Sequence, residues 1–355
     1  MRKLSLELVG ALVMFVMLTG GGSALGQGGS GSAKPAPATT AKPAPAATPV
    51  PSPARTSTSE PVVLDTPTGK LYGTLELPAQ GRAPYPVVLI ISGSGPTDRE
   101  GNSQVIPGAN NSLKYLAEGL AAQGIASLRY DKRGVASSVM AAKSEADLRF
   151  DTYIEDAMSW GGRLRGDKRF STLVIAGHSE GSLIGMVAAE RLGAEGYVSI
   201  AGAGRRADVV VLEQIKPQLS PELYAKTEAV FKSLSEGKTT DDVPEGLAAL
   251  FRPSVQPYVI SWLKYDPARE IAKLTVPVLI TQGTHDIQVS VGDAKLLAQA
   301  KPTARLLLVE GMNHVLKDAP ADPKQQSAAY SDPALPDSPK LLAEVVAFVK
   351  GIRKK

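Results

Sequence analysis

One serine stands between glycines in Gly177-His178-Ser179-Glu180-Gly181, directly after the apolar run 173–176 and before an apolar-periodic segment that begins at Leu183. That order reads as a buried strand, a sharp turn and a helix. A serine on such a turn sits in a strained backbone conformation, and glycines two before and two after it let strand and helix approach. The pattern G-x-S-x-G is short, and this chain is rich in glycine; the strand-turn-helix setting is what gives it weight. Ser179 is therefore the candidate nucleophile. A hydroxyl is weak in that role, so the chain must supply a base, an acid to orient the base, and donors for a developing oxyanion.

There are three histidines, His178, His285 and His314. His178 precedes Ser179 in the turn and is expected to point away from it. His285 adjoins a better candidate for another role, Asp286. His314 lies after the last predicted strand, in Glu310-Gly311-Met312-Asn313-His314, where a base can swing back over the turn. It is the expected base. Asp286 follows the predicted strand 276–281 through Gln282-Gly283-Thr284-His285 and is the expected acid; Glu310 is a poor rival because it shares a loop with His314. The resulting order, Ser179, Asp286, His314, is that of α/β hydrolases and not of the other serine hydrolase folds. One oxyanion donor follows from geometry, the backbone N–H of Glu180, whose carboxylate must then turn away from the charge. The second is expected in Gly93-Ser94-Gly95, after the predicted strand 87–91, at the N–H of Ser94 with Gly95 as the alternative. These glycines do not make a phosphate loop, for no G-x-G-x-x-G and no lysine-serine pair follows. The histidines show no metal-ligand spacing, and with no cysteine there is no thiol nucleophile, disulfide framework or lipid-anchor cysteine. The chemistry calls for no metal and no cofactor.

The elements that must position these residues alternate. Segments 62–64 and 71–77 flank a turn-rich 65–69 and read as an antiparallel hairpin. Continuous apolar runs at 87–91, 125–130, 173–176, 197–200, 276–281 and 305–309 read as strands covered on both faces. Helical spacing appears around Leu113 to Leu120, Phe150 to Leu164, Leu183 to Leu192, 294–300 and Leu341 to Ile352. Together these give an α/β fold, an open, mostly parallel sheet of eight strands with helices on both faces and the site at the carboxyl edge. Alternation fails over 205–265, where helical patterns occur without a strand. Such a block, with a capped start at Ser220-Pro221, is best read as a helical lid inserted over that edge. A proline-rich polar loop, 317–337, follows the last strand.

Three further segments complete the organisation. Residues 1–26 read as an export signal: Arg2 and Lys3, an apolar stretch from Leu8 to Leu18, then small residues at Ala24 and Gly26 before Gln27; an uncleaved membrane anchor is the alternative, for which the apolar run is short. Residues 27–60 are Gly/Ser- and then Ala/Pro/Thr-rich, too poor in large apolar side chains to form a core, and read as a tether to a membrane or cell wall or equally as an idle spacer. The catalytic domain is expected over 61–355. Of the 355 residues 43% are hydrophobic and 21% charged, with a formal net charge of +4, and no basic cluster is denser than Arg205-Arg206 or Arg353-Lys354-Lys355. That is ordinary surface charge and not a nucleic-acid footprint.

Five motifs in order resemble bacterial α/β hydrolases of the EstD-type carboxylesterase group, which is filed with serine-aminopeptidase-like hydrolases. They are Ser92-Gly93-Ser94-Gly95-Pro96-Thr97-Asp98-Arg99-Glu100-Gly101-Asn102, Tyr130-Asp131-Lys132-Arg133-Gly134, the serine turn, Gly283-Thr284-His285-Asp286-Ile287-Gln288-Val289 and Met312-Asn313-His314-Val315-Leu316-Lys317. The resemblance covers roughly 62–353. It implies the α/β-hydrolase fold, hydrolysis of small-molecule esters with short acyl chains, and a triad matching Ser179, Asp286 and His314. Glu100 departs from it, standing where aspartate is expected. Two other functions compete. An exopeptidase wants a carboxylate placed to hold a substrate amino terminus, and 205–265 offers none that is distinctive. A non-catalytic cell-surface binding module is opposed by the intact set of nucleophile, base, acid and glycine loop.

Overall fold

The structure is a computed structural model that describes residues 57–353. The expected export signal and all but the last four residues of the expected tether lie outside them. Those four, 57–60, are not tether: strand β1 runs Ser57–Thr66 and pairs along its whole length with β2, Gly69–Pro78, from Ser57 opposite Pro78 to Thr66 opposite Gly69. The domain thus already includes these four residues, which composition assigns to the tether. An edge strand with alternating exposure tolerates Ser, Thr and Glu, so its start carries little apolar signal.

The remaining strands are β3 (Tyr85–Ile91), β4 (Ala126–Tyr130), β5 (Phe170–His178), β6 (Gly196–Ile200), β7 (Val278–Gly283) and β8 (Arg305–Val309). They form one eight-stranded sheet ordered β1-β2-β4-β3-β5-β6-β7-β8. The β1/β2 and β2/β4 pairs are antiparallel and all others parallel. Strand β7 starts two residues later than its apolar run. Pro277 has no N–H to donate to a ladder, although its carbonyl still accepts from Tyr197 N.

Successive residues of a strand face opposite sides, and both sides here are core. Val87, Leu89 and Ile91 of β3, with Leu173 and Ile175 of β5, pack into one layer; Val88 and Ile90, with Val174 and Ala176, pack into the other. The first layer is covered by α2 (Phe150–Gly166) and α3 (Glu180–Leu192) and the second by α1 (Ser112–Ala122) and the last helix, α10 (Pro339–Gly351). The chain leaves β3 for β4 on one side and then returns past β3 to β5. The carboxyl ends of β3 and β5 therefore flank the point where strand order reverses, the position where open sheets of this kind place ligands.

Between β6 and β7 the chain is helical, with α4 (Ala207–Ile215), α5 (Pro221–Ser235), α6 (Ala248–Phe251), α7 (Gln256–Trp262) and α8 (Pro267–Lys273). Ser220 caps α5 by accepting from Leu223 N at 3.2 Å. Phe231, Phe251 and Tyr258 of this block join the core layer that carries α3, so the insertion is packed onto the domain and has no core of its own. Helix α9 (Val291–Ala300) follows β7. The 317–337 segment is tied down more firmly than its polarity suggests. Bridges pair Met312 with Asp318 and Lys317 with Asp337, and Tyr330 is buried. Among the described residues no helix is long and apolar enough to cross a membrane.

Candidate active site

Ser179 occupies φ 55° and ψ −121° at the junction of β5 and α3. A non-glycine residue in such a region costs on the order of 1–3 kcal/mol and persists only where its surroundings over-determine it. They do so here. Ser179 N donates to Ile200 O and Ser182 N to Ser179 O, both at 2.9 Å. Strand and helix meet so closely that a Cβ on Gly177 would lie 2.0 Å from Gly181 O, and one on Gly181 would lie 2.4 Å from Ile91 O. Both flanking glycines are therefore steric necessities. The N-terminus of α3 lies under the serine with its positive dipole end toward it.

Asp286 and His314 are brought together from the ends of β7 and β8. His314 Nδ1 lies 2.8 Å from Asp286 Oδ2, and both side chains are buried. Asp286 Oδ2 also accepts from Gln282 Nε2 at 2.9 Å, and Oδ1 accepts from Gln288 N and Val289 N at 2.8 and 2.9 Å. Burial alone raises a carboxyl pKa. Here the His314 charge and hydrogen bond and the two backbone N–H groups outweigh burial and hold Asp286 below its ordinary value. A carboxylate at Nδ1 fixes the proton there and leaves His314 Nε2 as the acceptor nitrogen.

His178, the residue before Ser179, has a task of its own at the base. Its Nε2 lies 2.8 Å from the backbone oxygen of His314, and the two rings are 4.8 Å apart. A carbonyl only accepts, so His178 is the donor at Nε2. Burial and then the His314 charge push its pKa down to about 3, so the ring is neutral. The residue beside the serine thus anchors the backbone of the candidate base.

The loop after β3 also lies against Ser179. A Cβ on Gly93 would be 3.1 Å from the Cβ of Ser179, so this loop runs against the turn. The N–H groups of Ser94 and Glu180 donate to no atom among the described residues. The Glu180 carboxylate is held back from them: Lys132 Nζ donates to Oε2 at 2.7 Å and Tyr258 OH donates to Oε1. Lys132 Nζ also donates to Gly93 O at 2.5 Å. Neither Ser179 Oγ nor His314 Nε2 makes a hydrogen bond among the described residues; such bonds commonly tighten only with substrate bound.

Ser94, Ser179 and Glu180 lie at the floor of a cleft of about 920 Å³, its open mouth included. Its walls come from the helical insertion, among them Val210, Phe231, Phe251 and Trp262. Arg205 reaches the cleft as well, but Asp293 Oδ1 and Oδ2 take its guanidinium at 2.9 and 2.7 Å and Glu213 pairs with it too. Among the described residues no group of three or more His, Cys, Asp or Glu side chains is arranged to hold a metal ion.

Sequence reasoning assigns no task to His178, Lys132, Gln282 or Tyr258. Lys132 alone carries a signal. Tyr130-Asp131-Lys132-Arg133 places three charges at the end of an apolar strand, and all three are buried. Asp131 takes Arg99 N at 2.8 Å and Ser137 N at 3.1 Å, and Arg133 makes a two-pronged pair with Asp156 at 3.0 and 2.6 Å.

A family model described as serine aminopeptidase, S33, matches residues 109–318. Esterase EstD from Thermotoga maritima is 29% identical over 255 residues, which are 71% of this chain and 59% of that relative. The chain thus spans about three fifths of the length of this curated relative. Among solved structures, Est1E from Butyrivibrio proteoclasticus with bound ferulic acid matches at a TM-score of 0.53 and 18% identity, over 81% of this chain and 96% of its own. A puromycin-hydrolyzing peptidase from Mycobacterium tuberculosis matches at 0.53 and 16% identity, over 85% of this chain and 41% of its own. What these structures share with the chain is the fold.

Proposed function

We propose that this chain, which belongs to the serine aminopeptidase S33 family and has the α/β-hydrolase fold, is a serine carboxylesterase acting on small esters with short acyl groups. One observation carries the reading: a serine in a strained turn, two unpartnered backbone N–H groups and a histidine engaged by a buried aspartate converge on the same sheet edge. Ser179 Oγ attacks the ester carbonyl carbon while its proton passes to His314 Nε2. The carbonyl electron pair moves onto oxygen, facing the N–H groups of Glu180 and Ser94. Collapse expels the alcohol, which takes the proton from His314. A water then repeats the sequence on the acyl-enzyme and frees Ser179. Asp286 holds the imidazole in the right tautomer and stabilises its charged form.

Two features favour an ester over a peptide amino terminus. An α-ammonium needs an unpaired carboxylate, yet among the described residues Glu180 is the one carboxylate lining the cleft, and both of its oxygens are taken by Lys132 and Tyr258. The relative EstD is also named an esterase. The apolar walls suit an acyl group, and the helical insertion, which supplies most of them, is read as the lid that selects its size. The family description keeps the aminopeptidase reading as the rival. Purified protein is expected to hydrolyse p-nitrophenyl acetate and butyrate and to leave aminoacyl p-nitroanilides largely uncut. Preferential cleavage of the nitroanilides would favour the rival.

A further inference from the structure

We propose that Lys132 is a positioning residue of the oxyanion hole, acting through the Gly93–Ser94 peptide. The proposal rests on the serine hydrolase reading above. In a trans peptide the C=O and the following N–H point in opposite directions. The Gly93–Ser94 bond is trans, and Lys132 Nζ donates to its oxygen at 2.5 Å. The two ends of this peptide face different spaces. Ser94 lines the cleft that holds Ser179, whereas Lys132 lines a neighbouring hollow with Gly95, Glu180 and Tyr258 and does not line the cleft. Lys132 therefore holds the carbonyl from behind and turns the Ser94 N–H toward the place where negative charge develops. A cation on the carbonyl also polarises the peptide and strengthens its N–H as a donor.

The same ammonium has a second effect. It donates to Glu180 Oε2 at 2.7 Å, and the Glu180 backbone N–H is the other expected donor of the hole. An uncompensated carboxylate on that residue would oppose the oxyanion. Lys132 is 1% exposed, and its Nζ also lies 5.2 Å from the centroid of the Tyr153 ring. A buried ion pair of this kind is a poor source of stability compared with apolar packing, so stability alone does not explain it. Its neighbours Asp131 and Arg133 hold other segments, and of the three only Lys132 reaches the Gly93 carbonyl.

The test compares Lys132→Met with Lys132→Gln, which keeps a donor for Gly93 O without the charge. Two readouts are taken: ester turnover, and affinity for a trifluoromethyl ketone. That ketone bonds to Ser179 Oγ, its carbonyl pair moves onto oxygen, and the serine proton goes to His314, so its affinity reports the hole itself. Lys132→Met is expected to lower kcat for p-nitrophenyl butyrate about 10- to 100-fold with KM changed less than about threefold, and to weaken the ketone by a similar factor. Lys132→Gln, expected to lose less, carries the test if the Met variant does not fold. Values within twofold of wild type in the folded variants, or a kcat loss without loss of ketone affinity, would overturn the proposal. Wild-type turnover that vanishes in Ser179→Ala supports the esterase reading independently. If the wild type cleaves no ester, that reading fails while ketone affinity still decides the role of Lys132.

Discussion

Two buried charge networks flank Ser179, and they are built differently. On the base side, Asp286 gathers hydrogen bonds from Gln282, Gln288, Val289 and His314, and every one of them leaves His314 Nε2 unengaged. On the oxyanion side, Lys132, Glu180 and Tyr258 satisfy one another and the Gly93 carbonyl. One network poises a group to react. On the proposed mechanism, the other keeps the Glu180 carboxylate away from the backbone N–H groups of Ser94 and Glu180. A site that stabilises a transient anion needs both, because a stray carboxylate in a low-dielectric pocket would cancel the donors beside it.

Altering each side in turn sharpens the contrast. The largest effect belongs to Asp286→Asn. The shape is kept, but an amide can donate to Nδ1 and favour the wrong tautomer. Steady-state kinetics should show kcat falling by about 10³- to 10⁴-fold. A loss below tenfold would mean that the pair is a structural contact. A smaller effect belongs to His178→Gln, which keeps a donor for the His314 carbonyl but shifts its reach. Activity should drop by roughly tenfold or less.

The clearer signature of His178 is in stability against pH. Its folded pKa of about 3 lies below the ordinary 6.5. Between these values the unfolded chain binds the extra proton, so stability is fully present above pH 6.5 and is lost progressively as pH falls toward 3. Denaturant titrations should show stability falling as pH drops across that window, a dependence weakened in His178→Gln. An unchanged slope would show that the ring is not held neutral. Asp286 acts in the same direction at lower pH. Its folded pKa lies below the ordinary value of 3.8, so its contribution is lost as pH falls through that lower folded value.

The same contrast explains what could be read from the chain without coordinates. The base side is legible because its members follow strand ends, and strand ends are visible as breaks in apolar runs. The order of Ser179, Asp286 and His314, the eight strands and the helical block over 205–265 all follow from that one signal. The supports of the oxyanion side are hidden because they meet across space. Tyr258 comes from the insertion, Lys132 from the end of β4 and Gly93 from the end of β3, and no spacing links them. His178 is the intermediate case. It sits in the serine turn itself, but its partner at His314 lies 136 residues away. Element edges fail for local reasons, as with the polar pairing strand that starts at Ser57 and with Pro277 at the head of β7.

Ser179 as the proposed nucleophile of an ester hydrolase can be examined chemically. Stoichiometric reaction with a fluorophosphonate, followed by mass spectrometry of the digested protein, tests it most directly. One adduct per chain is expected, on the peptide that contains Ser179, with p-nitrophenyl butyrate hydrolysis lost in proportion to labelling. An adduct elsewhere, or full ester turnover by a chain fully labelled at Ser179, would contradict it.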